Sequence, residues 1–154
     1  GFGYGMHIPE RDGIFSSLLL LEMLSASPYC KLSDYLEEKQ KKMGVICYDR
    51  IDMVYTQPDK NELLPWLHQN QLHEIAGFAI RKILPCLSSR NLVNGLKFIF
   101  EGDCRWLLIR SSETEDIIRF YAEGQTGEEV AALLQHGQNL LFKVSGSISN
   151  LTKH

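Results

Sequence analysis

Arg105-Trp106-Leu107-Leu108-Ile109-Arg110-Ser111-Ser112-Glu113-Thr114-Glu115-Asp116-Ile117-Ile118-Arg119-Phe120-Tyr121-Ala122 is the stretch on which the fold turns. Its flanks are short apolar runs rich in Ile, Leu and aromatic residues, and its middle is polar. Runs of that length and composition read as strands, and the middle is too long for a two-residue hairpin. Strands are expected at 105–109 and 117–122. Working outward, 78–84 and 96–100 have the same character. Asn94-Gly95 and Glu101-Gly102-Asp103 supply turn residues between the strands. Downstream, Thr126 with Glu129 makes a capping box that opens a helix to about Phe142. Its buried stripe is Val130, Leu133, Leu134, Leu140 and Leu141. The last dozen residues, rich in Ser, Gly and Asn, are expected to fray. Upstream, Gln57-Pro58-Asp59 punctuates the chain and marks a domain boundary. Asp59 with Glu62 starts a helix there, which Pro65 should kink or shorten. Residues 57–154 thus read as an α+β layer, a four-stranded antiparallel sheet packed with two helices on one face.

Residues 1–56 form a separate, mostly helical part. Asp12 is an N-cap for an apolar helix from Ile14 to Leu24, which should be buried almost all round. A second helix runs from Ser33 to Gly44, with Leu32, Tyr35, Leu36 and Met43 on one stripe. From Cys47 to Thr56 the period becomes two: Cys47, Ile51, Met53 and Tyr55 alternate with Tyr48, Arg50, Asp52 and Val54, which indicates a strand. Gly1-Phe2-Gly3-Tyr4-Gly5 reads as a loop, so the chain is expected to begin inside something larger.

Composition narrows the classes. The 154 residues are 44% hydrophobic and 23% charged, a globular balance. The net charge of −3 disfavours a nucleic-acid partner. The longest apolar run, from Ile14 to Leu24, is short of the roughly 18 residues a membrane span needs. Cys30, Cys47, Cys86 and Cys104 have no C-x-x-C spacing, and no leader or cleavage pattern is present. Reduced thiols and a cytoplasmic location are expected. The sequon Asn150-Leu151-Thr152 would matter only in a secreted protein. His68, His73, His136 and His154 have no ligand-like spacing and are read as structural or surface groups.

Two segments carry chemistry. Arg110-Ser111-Ser112-Glu113-Thr114-Glu115-Asp116 offers a guanidinium fork, three hydroxyls and backbone N–H groups, a set that suits phosphate. The plainer reading is a polar hairpin loop with Arg110 paired to Glu113, Glu115 or Asp116; those carboxylates would repel an anion. His7-Ile8-Pro9-Glu10-Arg11-Asp12-Gly13 feeds a helix N-terminus, where His7 and Arg11 could help hold an anion. Its plainer reading is a capped helix start with a Glu10–Arg11 surface pair. There is no P-loop, no G-x-S-x-G, no H-E-x-x-H and no nucleophile–base pair.

These segments, in this order, resemble the C-terminal part of the α-D-phosphohexomutases, the phosphoglucomutase/phosphomannomutase family. The loop from Arg110 to Asp116 is similar to that family's Arg-x-Ser-Gly-Thr-Glu-Pro loop. Asn94-Gly95-Leu96-Lys97-Phe98 is similar to its Asp-Gly-Val-Lys-Phe hairpin. The segment from His7 to Gly13, with the apolar helix after it, is similar to the end of its third domain. The resemblance runs to about Phe142. It implies that 1–56 is the C-terminal remnant of a third, sugar-binding α/β domain plus a linker strand, and that 57–154 is the fourth, phosphate-binding domain. It implies phosphate-binding positions at Arg110, Ser112, Glu113 (through its backbone N–H) and Thr114, and substrate-cleft positions at His7 and Arg11. Glu113 stands where the family has Gly or Asn, and Asp116 where it has Pro. The implied reaction interconverts hexose 1-phosphate and hexose 6-phosphate in an intact enzyme. Its phosphoserine and its Mg2+-binding aspartates lie in the first two domains, so no catalytic residue, metal or turnover is expected of this chain alone. The implied partners are a phosphosugar and the missing N-terminal domains of the same chain. The alternative is a degenerate, non-catalytic homologue that binds sugar phosphates or a protein. A nucleic-acid module would need a basic sheet face, which the net charge and the apolar strands do not promise. Glucose, mannose and glucosamine phosphates stay open.

Overall fold

A computed structural model of the chain describes residues 3–8, 10–70, 72–102 and 104–151. Gly1, Phe2, Pro9, Asp103, Thr152 and His154 lie outside the described residues, as does the Met43 side chain. The chain divides into two compact units, Gly1–Val45 and Ile46–His154.

The first unit holds α1 (Gly13–Ser25) and α2 (Leu32–Met43). Asp12 caps α1 as its sequence position foretells, its Oδ1 accepting the Phe15 N–H at 2.9 Å. Gly44, at φ 89°, ends α2 in a backbone region that glycine enters without strain. The all-round burial expected of α1 is not found: Ile14 is 79% exposed and Leu21 62%. A helix apolar on every face needs neighbours on every side, and this unit offers one other helix among the described residues. The α2 stripe is open too, with Leu32 and Leu36 exposed. No helix among the described residues is long and apolar enough to cross a membrane.

The second unit is α+β, and its sheet has six strands where four were expected. They are β1 (Cys47–Val54), β2 (Glu74–Ile75), β3 (Phe78–Leu87), β4 (Val93–Phe100), β5 (Trp106–Ser111) and β6 (Ile117–Gly124). The order is β1-β6-β5-β4-β3-β2, and every pairing is antiparallel. Strand β1 pairs with β6 from Cys47↔Gly124 to Val54↔Ile117. It therefore lies with the sheet, whereas the sequence reading grouped it with residues 1–56. Local pattern shows that a strand exists and not which remote strand it joins. Strand β2 is two residues long, too short to leave a period in the sequence; Ala76 and Gly77, at φ 55° and 80°, form the tight turn that folds it onto β3.

Asn94-Gly95 is not a turn. Both residues lie inside β4, and the β3–β4 turn is made by residues 88–92, where Ser88 N–H donates to Leu92 O at 2.8 Å. Gly95 sits in a crowded place: a Cβ there would stand 3.0 Å from the Cys86 Cβ and 3.4 Å from Ile109 O, so a neighbour would have to give. The helix expected from Asp59 is a 3-10 turn, Pro58–Asn61, followed by α3 (Leu63–Gln69). Asp59 makes no cap; its Oδ1 accepts the Tyr55 hydroxyl at 2.9 Å instead. Pro65 stands in the first turn of the seven-residue α3, where N–H groups have no intrahelical acceptor. Finally, α4 (Gly127–Leu151) runs nine residues beyond Phe142. Val144 and Ile148 are buried and continue its apolar stripe, so the tail is held by packing.

The core fills one face of the sheet. Leu96, Phe98 and Phe100 of β4, Leu107 and Ile109 of β5, and Ile118, Phe120 and Ala122 of β6 are fully buried. They form one cluster with Leu63, Leu64 and Leu67 of α3 and Val130, Leu133, Leu134 and Leu141 of α4. Alternation sends the residues between them to the opposite face, and it is this that delivers Arg110 to the outer side of β5.

Candidate functional site

The β5–β6 loop is tied down at both ends. Ser112 N–H donates to Ile117 O at 3.1 Å, and Tyr55 N–H to Asp116 O at 2.8 Å. Ser112 Oγ accepts the Glu115 N–H at 3.2 Å, a hydroxyl turn inside the loop. The three carboxylates all find partners other than Arg110. Glu113 Oε1 accepts from Asn94 Nδ2 at 2.8 Å. Glu115 pairs with the Arg119 guanidinium. Asp116 stands 3.7 Å from Lys60 Nζ, which also donates to the Glu115 carbonyl.

Arg110 is exposed and has no hydrogen-bond or ion-pair partner among the described residues. Its cross-strand neighbours are Gly95, which has no side chain, and Arg119, which carries the same charge. Like charges directly opposite on a sheet repel. Arg119 is relieved by Glu115 and by Asp52, 3.8 Å away, whereas Arg110 has no such relief. The N–H groups of Glu113 and Thr114 also have no acceptor among the described residues, and Thr114 is exposed. The arrangement is one unspent guanidinium beside free backbone donors and a hydroxyl. It can hold an oxyanion.

Three of the four loop positions singled out in the sequence are therefore open to a ligand. Ser112 is 92% buried (8% exposed), and its oxygen already takes one bond. The intervening Ser111 faces the other side, buried, with its Oγ unpartnered. Sequence reasoning missed Asn94 and Lys60. The pair Asn94-Gly95 has the look of a turn, and no local signal marks Lys60, 55 residues from the Glu115 carbonyl it meets. Lys60, Arg90, Asn94, Ser111 and Glu113 together line a cleft of about 220 Å³.

The outer sheet face is also more basic than the sequence promised. Lys97, Arg110, Arg119 and Arg50 share it, because alternation gathers cations that are scattered along the chain. Arg50 is held by both oxygens of Asp52, which keeps that carboxyl below its ordinary range.

In the first unit, His7 Nε2 lies 3.0 Å from Asp12 Oδ2, and its ring stacks on Phe15 at 4.3 Å. The Phe15 N–H, then His7, hold the Asp12 carboxyl below its ordinary value. His7 is thus spent on the helix cap. Arg11 is exposed and unpartnered among the described residues; the expected Glu10–Arg11 pair does not form. His68, His73 and His136 are exposed, and all four cysteines are free thiols. Among the described residues no group of His, Cys, Asp and Glu could hold a metal ion.

A family model described as phosphoglucomutase/phosphomannomutase, C-terminal domain, matches residues 59–136, from the 3-10 turn to the middle of α4. The chain belongs to the phosphoglucomutase/phosphomannomutase family. The loop from Arg110 to Asp116 lies within this phosphohexomutase C-terminal domain. One relative is the phosphoglucosamine/phosphogalactosamine mutase of Sulfurisphaera tokodaii, 30% identical over 129 residues. The match takes in 81% of this chain and 24% of the relative, so the chain spans about a quarter of that phosphohexomutase's length.

Proposed function

We propose that this chain is the phosphate-holding C-terminal part of a phosphohexomutase that interconverts hexose 1-phosphate and hexose 6-phosphate. The observation that carries the reading is the unpartnered Arg110 guanidinium beside three carboxylates that are each engaged elsewhere. Arg110 takes two phosphate oxygens in its planar fork, the N–H groups of Glu113 and Thr114 take a third, and the Thr114 hydroxyl donates at the edge; Ser112, buried and bonded to Glu115, shapes the loop behind them. The loop positions the substrate; it makes no bond. His7 and Arg11 are assigned to the sugar cleft, Arg11 as a free cation and His7 through the α1 cap. The family resemblance assigns the magnesium and the phosphoserine to other domains of the enzyme, and the described residues offer no His, Cys, Asp and Glu group that would hold the metal here. The free thiols accord with a cytoplasmic location. The burial of Ser112 favours a second reading, a non-catalytic homologue that retains only sugar-phosphate binding.

Replacing Arg110 tests both readings. In the protein that contains this chain, Arg110→Ala should lower kcat/KM for glucose, mannose or glucosamine phosphate at least about tenfold, the scale of one lost charged hydrogen-bonding group. Because the side chain is exposed and unpartnered, stability should move by less than about 0.5 kcal/mol. Loss of fold and activity together would remove the binding role. Phosphate binding without turnover of any hexose phosphate would select the second reading.

A further inference from the structure

We propose that Asn94 is a positioning residue for the loop: its side-chain amide holds the Glu113 carboxylate away from the anion place beside Arg110. The proposal rests on the phosphate reading above. A loop that takes an oxyanion carries a glutamate at its centre, three residues after the guanidinium it depends on. Left free, that carboxylate is an anion on the same loop as the guanidinium. It would either pair with Arg110 or repel an incoming phosphate.

The structure avoids both outcomes through β4. Asn94 Nδ2 donates to Glu113 Oε1 at 2.8 Å, and Asn94 stands next to Gly95, the cross-strand partner of Arg110. The carboxylate turns into the cleft that Lys60 and Arg90 also line, among cations. The orientation of the amide follows from chemistry. Reversed, it would set its oxygen against a carboxylate oxygen, acceptor against acceptor. As it stands, Asn94 Oδ1 is left without a partner in a residue only 8% exposed. A buried orphan acceptor is unfavourable, and the bond to Glu113 is what the same amide gains. An aspartate at 94 has nearly the same shape but no donor, so it would drive Glu113 back toward Arg110.

The test is a swap read with inorganic phosphate on the 154-residue chain. Asn94→Asp should weaken phosphate binding by on the order of tenfold. Asn94→Asp with Glu113→Gln exchanges donor and acceptor across the same contact and should return affinity to within about threefold. An unchanged affinity in Asn94→Asp, or equal loss in the double variant, overturns the proposal. If the unsubstituted chain takes up no phosphate, the phosphate reading fails, and with it the purpose assigned to Asn94. The holding contact is then judged by amide hydrogen exchange of residues 112–115, which needs no ligand. Exchange should quicken in Asn94→Asp and slow again in the double variant; identical exchange in all three chains shows that Asn94 holds nothing.

Discussion

The Glu129 carboxylate accepts two bonds from the Arg105 guanidinium, Nε at 3.0 Å and Nη2 at 2.8 Å, and the Gln125 N–H at 2.8 Å. Arg105, then the backbone donors, hold its carboxyl below the ordinary 4.5. A depressed folded value means that the pair stabilises the fold above about pH 4.5 and that this contribution fades as pH falls through the lower folded value. Glu129→Gln should therefore cost about 1–2 kcal/mol near neutrality. The gap between the two melting curves should narrow on acidification below pH 4; a gap independent of pH would mean that packing, and not charge, sets it. Part of this site was legible. The Thr126–Glu129 capping box follows from spacing alone, and Thr126 Oγ1 does accept the Glu129 N–H at 3.2 Å. Its second duty to Arg105, 24 residues away, was not, because nothing local couples them. The same holds in the loop: sequence singled out Arg110, and only the fold showed that Glu113, Glu115 and Asp116 turn elsewhere.

Helix α4 contains two glycines that test packing against propensity. A Cβ at Gly137 would lie 3.1 Å from Leu107 Cδ2 and 3.2 Å from Phe120 Cδ1, both in the closed core. Gly146 has no neighbour within 4 Å. Alanine gains roughly 0.5–1 kcal/mol over glycine in a helix interior, and overpacking a core loses about 1–3 kcal/mol. Gly146→Ala should thus raise the melting temperature and Gly137→Ala lower it. Thermal melts of the two variants settle this, and a shared sign would show that the helix lifts off the sheet easily. The stripe Leu141, Val144 and Ile148 keeps helical spacing through the Ser- and Gly-rich tail. That periodicity is present in the sequence beside a Ser- and Gly-rich composition that points the other way, and burial of the stripe decides for the helix.

At the scale of the molecule, the boundary between the units can be tested by where a chain begins. A chain starting at residue 46 retains β1 and the Tyr55 hydroxyl bond to Asp59. One starting at residue 57 loses both, opens the edge of β6, and uncovers the core that Ile51 and Met53 pack against. The first should unfold in one cooperative transition; the second should be weaker by about 2–5 kcal/mol in denaturant titrations. Equal stability would return β1 to the role of a linker. Sequence by itself determined the α+β class, the central strands, both helix caps at Asp12 and Thr126, and the loop that carries Arg110, since all of these are written in spacing and polarity within a few turns of chain. Only the tertiary structure decided that β1 closes on β6, that Gly95 sits crowded against Cys86 inside a strand rather than in a turn, and that Asn94 and Lys60 take up the loop's negative charges. Those contacts join residues that are remote along the chain, and pairing across a sheet leaves no local signature on either partner.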